Sequence, residues 1–223
     1  MLLFLFFTSN HHPLLYAVGI AERKDRERKE LRHRILDAAM KLFIAHGIEE
    51  VSIRKIADLI EYSPTTIYLY FKDKNEIFYD LRSEGFRLLL ELNSTYQKHA
   101  QDSLERLRWY GKAYIDFALQ NRQYYKLMFI LMAPMRTEAA EIDKDPFDYA
   151  KQSWELLVAS VQDCIADGYF HYDDPHVGAY YWHSLVHGLV SLHIQERVSC
   201  PEEVLMYWIE AAFQKTIEEI KNK

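Results

Sequence analysis

The chain has 223 residues, of which 49% are hydrophobic, and its 27 basic and 33 acidic side chains give a formal net charge of −6. This length predicts one or two domains and a sizeable core. Cys164 and Cys200 are the only cysteines, which excludes a disulfide framework and fits a reduced cytoplasm.

The charge is unevenly divided along the chain. Residues 1–72 carry 11 basic and 9 acidic side chains, a net of +2, whereas residues 73–223 carry 16 and 24, a net of −8. Seven of the basic residues lie close together in the first part: Arg23, Lys24, Arg26, Arg28, Lys29, Arg32 and Arg34. This cluster either belongs to a DNA-binding surface or is the solvated start of a helix, because acidic residues interleave with it.

Residues 1–26 are predicted to form an N-terminal tail. The apolar run at 2–7 is too short to span a bilayer, which takes about 20 residues. No cation precedes this run and no small-residue cleavage site follows it, so a signal peptide is not predicted. The tail is either poorly packed, as chain termini often are, or an arm that packs on a partner subunit.

Two helices are predicted before residue 61. Residues 28–46 have the apolar spacing of one long amphipathic helix, and Gly47 stands where a glycine commonly ends a helix. In residues 53–60, isoleucine and alanine recur at three- and four-residue spacing, which indicates one face of a second helix.

A tight break at Glu61 and Tyr62 precedes a third helix, predicted over residues 64–71. Ser63 is its expected N-cap, and Pro64 occupies the first helical position, where the missing N–H does no harm. Two short helices joined by a turn of about four residues form a helix-turn-helix, whose second helix enters the DNA major groove. Such pairs also occur in helical proteins without DNA function, so the spacing alone leaves DNA binding open.

The residues around this motif carry a family pattern from Leu36 to Glu76, most specifically in the run TIYLYFKDK at 66–74. This pattern resembles the N-terminal domain of the TetR (tetracycline-repressor-like) family. One departure is Glu61, which stands where the family usually has glycine. A left-handed backbone conformation there would cost a non-glycine residue about 1 kcal/mol.

The resemblance implies an all-α chain with a helix-turn-helix domain at 27–73 and a helical effector-binding and dimerisation domain at 74–223. It also implies a homodimer that binds a palindromic operator in double-stranded DNA. By their positions in the motif, eight residues are expected at the DNA: Ser52, Ser63, Thr65, Thr66, Tyr68, Tyr70, Lys72 and Lys74.

Beyond residue 73 the capping signals predict only helices, and no β pattern or glycine-rich phosphate loop is present. The predicted helices cover residues 74–99, 103–120, 122–132, 146–167, 175–196 and 201–221. Asp145-Pro146 and Asp174-Pro175 are expected cap and first-position pairs, and residues 134–145 are predicted to be a flexible acidic loop.

The last two predicted helices are apolar on more than one face, which indicates burial on two sides. In the family, the two last helices form a four-helix dimer interface with their copies, and this pattern is similar. Trp208 and Ile209 are expected at this interface, so substitutions there test the prediction. Gly188 lies inside a predicted helix, where glycine is destabilising, so another helix is expected to pack closely against it. The alternative is a fully buried core within one protomer. Trp182, His187 and Gly188 also resemble a WHG-type C-terminal domain.

Aromatic and methionine side chains are dense in the second domain and favour an apolar pocket for a small hydrophobic or aromatic effector. The expected effector-binding residues are Tyr114, Phe117, Tyr125, Met128, Phe129, Trp154, Trp182, His183 and His187. Alternatively, about half of these aromatics are plain core, because pockets take few residues.

His183 and His187 lie four residues apart, a spacing that could hold a metal. However, Ser184 stands where a HExxH motif has glutamate, and no third ligand is evident, so no metal or other cofactor is predicted. Hydrogen bonding in or near the pocket is the favoured role. No nucleophile–base pair or paired acids are evident, so an enzyme is not predicted.

Together these features predict a ligand-responsive, DNA-binding transcriptional regulator. It is expected to be a repressor that a small hydrophobic effector releases from a palindromic operator. The alternative is a helical small-molecule or metal/haem-binding protein without DNA function.

Overall fold

The computed structural model describes residues 13–132 and 148–221, and all regular structure within these ranges is helical. The predicted all-α class is therefore confirmed. The helices are α1 (Pro13–His46), α2 (Ile53–Leu59), α3 (Pro64–Tyr68), α4 (Lys74–Tyr96), α5 (Ser103–Gln120), α6 (Arg122–Tyr125), α7 (Tyr149–Ala166), α8 (Pro175–Ile194) and α9 (Glu202–Lys221). A 3₁₀ turn (Gln97–His99) follows α4, and a π-helical turn (Lys126–Ile130) continues α6.

Helix α1 differs most from its predicted bounds, because it begins at Pro13 rather than at residue 28. The charged stretch at 22–30 is therefore helical, although it contributes no residue to a core. The beginning of the predicted tail, residues 1–12, and the predicted acidic loop lie outside the described residues.

Two other predicted helices are wrong in detail. Helix α3 ends at Tyr68 instead of residue 71, because the chain tightens there: the N–H of Leu69 donates to the carbonyl of Thr66 at 3.2 Å. The segment predicted as one α-helix over 122–132 changes to a π turn after its first four residues.

Side-chain caps fix most of the helix starts, as their sequence signals predict. Ser63 Oγ accepts from the N–H of Thr66 at 3.2 Å, and Asp73 Oδ1 accepts from the N–H of Glu76 at 2.8 Å. Helix α7 is capped by Asp148, whose side chain accepts from the N–H of Lys151. The predicted cap and first-position pair Asp145-Pro146 lies outside the described residues.

The first core holds the helix-turn-helix together. It joins α1, α2, α3 and the start of α4 through fully buried side chains such as Ile35, Phe43, Ile56 and Ile67. Phe43 meets Phe78 of α4 edge to face, with ring centroids 6.3 Å apart. Ile67 is the only α3 residue in this core, so one side chain sets how α3 sits on the domain.

The second core joins the rest of α4 to α5, α7, α8 and α9. Two glycines allow its helices to approach closely. A Cβ at Gly111 would lie 2.7 Å from the Phe213 ring, and one at Gly178 would lie 2.7 Å from Val161 Cγ1. Gly188 differs, because a Cβ there would meet nothing within 4 Å. The packing reason expected for Gly188 is therefore not found inside the protomer.

The segment 122–130 belongs to both cores. Leu127, which is fully buried, lies in the first core, whereas Tyr125 and Met128 lie in the second. The short helix and its π turn thus wedge between the DNA-binding helices and the larger domain.

The turn before α3 contains a residue in the left-handed conformation. This residue is Glu61 rather than glycine, so the conformation costs free energy. Glu61 has φ 61°, its N–H bonds to the carbonyl of Asp58 at 3.3 Å, and the N–H of Tyr62 bonds to the carbonyl of Ala57 at 3.0 Å. This is the Schellman pattern, in which glycine is the favoured residue at the Glu61 position.

We expect Glu61→Gly to raise the free energy of unfolding by about 0.5–1 kcal/mol, because relief of left-handed strain exceeds the added entropy of an unfolded glycine. Urea unfolding measures the change. Glu50→Gly is the matched control, since Glu50 is exposed and is not among the positive-φ residues of the described chain. Its free energy of unfolding should fall. A fall for Glu61→Gly as well would contradict the strain argument.

Candidate DNA-binding surface and effector site

Helix α3 presents an exposed surface opposite its one buried residue. Thr65 is exposed, and Tyr68 and Leu69 are 56% and 73% exposed. Leu69 was missed by the sequence reasoning, although it lies between two predicted DNA contacts. An exposed large apolar side chain on a recognition helix can meet a thymine methyl group.

The serines predicted at the DNA cap the two helices of the motif. Ser52 Oγ accepts from the N–H of Lys55 at 3.2 Å at the start of α2. Ser63 Oγ lies 2.9 Å from Thr66 Oγ1, so these hydroxyls are paired with each other in the free protein. Both serines are exposed and retain acceptor or donor capacity for DNA.

The two lysines expected at the DNA, where their charge suits a phosphate, differ in environment. Lys72 is exposed, whereas Lys74 is half-buried, and its ammonium donates to the carbonyls of Ile48 at 2.8 Å and Glu49 at 3.1 Å. Lys74 therefore ties the start of α4 to the loop after α1. A substitution there changes domain stability as well as charge, so Lys72 is the better test of a phosphate contact.

Two arginines of α1 contact the residues that precede and follow α3. Arg34 donates to the carbonyl of Ile60 at 3.1 Å, and its guanidinium lies 5.2 Å from the centre of the Tyr62 ring. Arg32 lies 5.3 Å from the centre of the Phe71 ring and forms an ion pair with Asp80. The residues just before and just after α3 are thus held by one helix.

A polar network lies among the aromatics of the second domain. His187 Nδ1 lies 2.9 Å from the Tyr125 hydroxyl and 3.1 Å from the Tyr114 hydroxyl. Burial is the main cause that raises the pKa of Tyr114 and of Tyr125, so both hydroxyls are neutral at pH 7. Burial also lowers the pKa of His187, which favours the neutral imidazole.

His183 lies at the centre of several rings. It stacks on His187 with centroids 5.7 Å apart, and it meets Tyr114 at 5.3 Å and Trp154 at 6.5 Å edge to face. Burial, and secondarily the neighbouring His187, lower the pKa of His183 to about 4. The histidine pair is therefore neutral at pH 7.

Phe129 closes this cluster from the π turn. Its ring centroid lies 5.3 Å from that of Tyr125 and 5.6 Å from that of Tyr114. The next residue back, Met128, packs on Gly85 of α4, where any Cβ would collide with the methionine sulfur. The aromatic cluster, defined as Tyr114, Tyr125, Phe129, Trp154, His183 and His187, is thus in direct contact with the segment that also enters the first core.

Three predicted effector residues lie outside the aromatic cluster, and one of them is Met128, which is buried in the second core. Trp182 packs on Phe213 of α9, with ring centroids 5.8 Å apart, and Phe117 is a fully buried core residue. The cluster rings touch one another directly. An open groove of about 650 Å³ lies elsewhere, between the end of α5 and the start of α9, with Arg122 and Glu202 on its rim.

Helices α8 and α9 display an apolar surface. Seven of its side chains are between 39% and 70% exposed: Val177, Tyr180, Tyr181, Leu192, Val204, Tyr207 and Trp208. Gly188 lies in the same α8 stripe, seven residues after Tyr181. Ile209 was wrongly expected at this surface, because it is only 3% exposed and packs in its own core.

Within residues 13–132 and 148–221, no group of three histidine, cysteine or acidic side chains is arranged to hold a metal ion. Nor is any described helix both long and apolar enough to cross a membrane.

The fold and the complete helix-turn-helix define a helical, DNA-binding transcriptional regulator. A family model described as "Bacterial regulatory proteins, tetR family" matches residues 35–81, and one described as "Tetracyclin repressor-like, C-terminal domain" matches residues 107–218. The chain is 33% identical over 149 residues to the HTH-type transcriptional regulator AcrR of Shigella flexneri, covering 66% of this chain and 69% of that protein.

The chain therefore belongs to the TetR family of transcriptional regulators. This finding confirms the family resemblance and gives no support to a protein without DNA function. The C-terminal match has a broader description than the WHG-type resemblance, which stays a prediction. Regulators of this family are generally not enzymes.

Solved structures share the fold at low sequence identity. A TetR-family regulatory protein from Rhodococcus RHA1 has a TM-score of 0.65 at 21% identity, covering 82% of this chain and 95% of that chain. The fatty acid degradation regulator FadR of Bacillus halodurans has a TM-score of 0.63 at 18% identity, covering 82% and 92%. Both likenesses concern the fold alone.

The histidine pair predicts a pH-dependent stability. The pKa of His183 is about 4 in the folded protein against an ordinary 6.5, so the unfolded chain takes up this proton first as the pH falls. The free energy of unfolding should therefore decrease from pH 7 towards pH 4. At pH 5 the loss due to His183 should be on the order of 1–2 kcal/mol.

His183→Gln should remove that part of the loss when urea unfolding is compared at pH 7 and pH 5. His171→Gln, at an exposed position, is the control and should leave the pH dependence as in the wild type. If the two variants show the same pH dependence, His183 is not the responsible group.

Proposed function

We propose that the protein is a homodimeric repressor of a palindromic operator, and that a small hydrophobic or aromatic effector releases it from DNA. The observation that carries the proposal is the shared segment 122–130. It places Leu127 in the core that holds α3, and Tyr125 and Phe129 in the aromatic cluster. A ligand that moves the cluster must therefore disturb the core under the recognition helix.

Helix α3 of each protomer enters one major groove in this proposal. Thr65, Tyr68 and Leu69 supply the exposed surface for base edges, and Lys72 supplies a charge for a phosphate. Two-fold symmetry then matches a palindrome whose half-sites lie about 34–36 Å apart.

The aromatic cluster is the proposed effector site. It offers ring faces and edges, neutral histidines and two neutral tyrosine hydroxyls, a lining suited to an uncharged aromatic molecule with one or two polar atoms. Because the rings already touch, a ligand has to displace one. Phe129 is half-buried and belongs to the π turn, so we infer that it moves first.

Displacement of Phe129 reaches the DNA-binding domain through two neighbours on the same turn. Met128 lies against Gly85 of α4, and Leu127 fills the first core. A π turn can return to α-helical hydrogen bonding when one residue shifts register, and such turns are frequent at functional sites. Reorientation of α4 and α3 would then change the distance between the recognition helices of the two protomers, so that it no longer matches the spacing of successive major grooves.

The operator itself provides the test of the function. We expect the purified protein to protect a palindrome in the DNA flanking its own gene from nuclease cleavage. Lys72→Ala should weaken binding to operator and non-specific DNA alike, and lower the salt slope of the dimer by about 1.8, for one phosphate per protomer.

Lys215→Ala, on α9, is the control for Lys72→Ala, and its slope should equal that of the wild type. An unchanged slope for Lys72→Ala would remove Lys72 from the DNA surface. Failure of the wild type to protect any duplex tested would contradict the proposed function.

The apolar surface of α8 and α9 is the proposed dimer interface, in which Gly188 lets the partner helix approach. A stable interface buries at least about 1,000 Å² in total. We expect Trp208→Glu to be monomeric at micromolar concentration in sedimentation analysis, because Trp208 is 49% exposed and a carboxylate would be buried there. Met132→Glu changes a 90% exposed apolar residue elsewhere and should stay dimeric.

The effector site is tested by screening small neutral aromatic compounds for release of the labelled operator. A coupling free energy of about 1–3 kcal/mol corresponds to a 5- to 150-fold loss of operator affinity. Compounds that release the wild type should lose this effect on Phe129→Ala, whose ligand-free operator affinity should be unchanged. Phe170→Ala, half-buried outside the cluster, should respond like the wild type. An equal response of both variants would exclude the cluster.

A further inference from the structure

Helix α1 extends well beyond the domain that it supports. Residues 22–30 are all exposed, and from residue 22 onward, where the burial of α1 is described, Ile35 is the first residue buried in the core. At 1.5 Å per residue, these nine residues span about 13 Å of helix with no buried face. A helix that is polar all round gains nothing from a core, so its charges are the only features with which it can interact.

The charges on this extension are not randomly placed. Lys24, Arg28 and Arg32 follow one another at four-residue spacing and form a single row along the helix. The row continues into Ile35 and Ala39, the buried stripe that faces the domain. The basic row, defined as Lys24, Arg28 and Arg32, therefore lies on the same side of α1 as the helix-turn-helix.

The ion pairs of the extension leave the outer part of this row free. Arg23 pairs with Glu27 at 3.5 Å, and Lys29 pairs with Asp25 at 2.7 Å. Within the described chain, neither Lys24 nor Arg28 has an ion-pair or hydrogen-bond partner. Asp25 and Glu27 thus pair with cations outside the row.

The base of the row lies next to the recognition helix. Arg32 packs over Phe71, which follows α3, and Arg34 binds Ile60 and Tyr62, which precede it. Helix α1 therefore leaves the domain beside α3, and the outer part of the basic row continues from that point.

We propose that Lys24 and Arg28 of each protomer bind phosphates of the duplex beside the major groove that α3 enters. The proposal rests on the proposed operator binding. A phosphate contact of this kind reads no bases: it releases counterions, raises affinity for every sequence and makes binding more sensitive to salt. DNA is the partner that charge complementarity and continuity with the recognition surface select.

The test compares Lys24→Gln/Arg28→Gln with the matched control Arg23→Gln/Lys29→Gln, which removes the same number of charges from the ion-paired positions. Four lost phosphate contacts per dimer should reduce the salt slope by about 3.6. For Lys24→Gln/Arg28→Gln, the factor by which DNA affinity falls between 50 and 200 mM salt should then be roughly 150-fold smaller than for the wild type. The control should lower the salt slope by less than half as much as Lys24→Gln/Arg28→Gln does.

Ethylation interference locates the contacts directly. Ethylated phosphates beside each half-site should weaken the wild type and the control but not Lys24→Gln/Arg28→Gln. Equal slopes and equal interference patterns for the two double variants would overturn the inference while leaving operator binding intact. A change of dimer dissociation without a change of slope would also overturn it, and would assign the row to the partner subunit. Helix content by circular dichroism checks that both variants fold.

Discussion

The structure depends on one short segment that is buried in two cores at once. Leu127 is fully buried among the helices that hold the recognition helix, while Tyr125 and Met128 are buried in the larger domain. Neighbouring residues of a helix point in directions about 100° apart, so a single turn can fill both cores only if its rotation is fixed. Met128 packs at Gly85 of α4, where the missing Cβ leaves room for the methionine sulfur. A displacement of this segment therefore reaches both the aromatic cluster and the core under α3, which makes the segment a place where two sites can be coupled.

The chemistry of the cluster follows from the same burial. A buried tyrosine hydroxyl needs a hydrogen-bond partner, and His187 Nδ1 lies within hydrogen-bond distance of the hydroxyls of both Tyr114 and Tyr125. Desolvation keeps the imidazoles neutral, so the network stores no charge that a ligand would have to neutralise. A neutral aromatic molecule can exchange ring contact for ring contact there, whereas an ion would enter a site without a fixed counter-charge. If the cluster is the effector site, as proposed, its shape and the two hydroxyls set its selectivity.

Local signals were sufficient for much of the fold. Ser63, Pro64 and Asp73 specified helix starts because caps depend on the nearest three residues, and the cost at Glu61 follows from a single φ angle. Features that depend on helix rotation were not predictable. Trp208 and Ile209 are adjacent and both apolar, yet only the packing of α9 places one outside and the other inside. Likewise, Lys74 matches the family pattern, but its carbonyl partners in the loop after α1 emerge only when that loop is folded against α4.

The extended α1 helix adds a constraint on the balance between binding and release. In the proposed mechanism the shared segment 122–130 transmits only a limited coupling free energy, so operator affinity has to lie within the range that effector binding can overcome. Helix α3 has only five residues, so it offers few side chains to base edges. The phosphate contacts proposed for Lys24 and Arg28 would raise affinity without altering α3, and they would weaken steeply with salt. They also speed the search along DNA by holding the protein near the duplex, while the acidic body, with its net charge of −8 over residues 73–223, is repelled from it. The opposite charges of the two parts therefore orient the protein, recognition helix first, before any base is contacted.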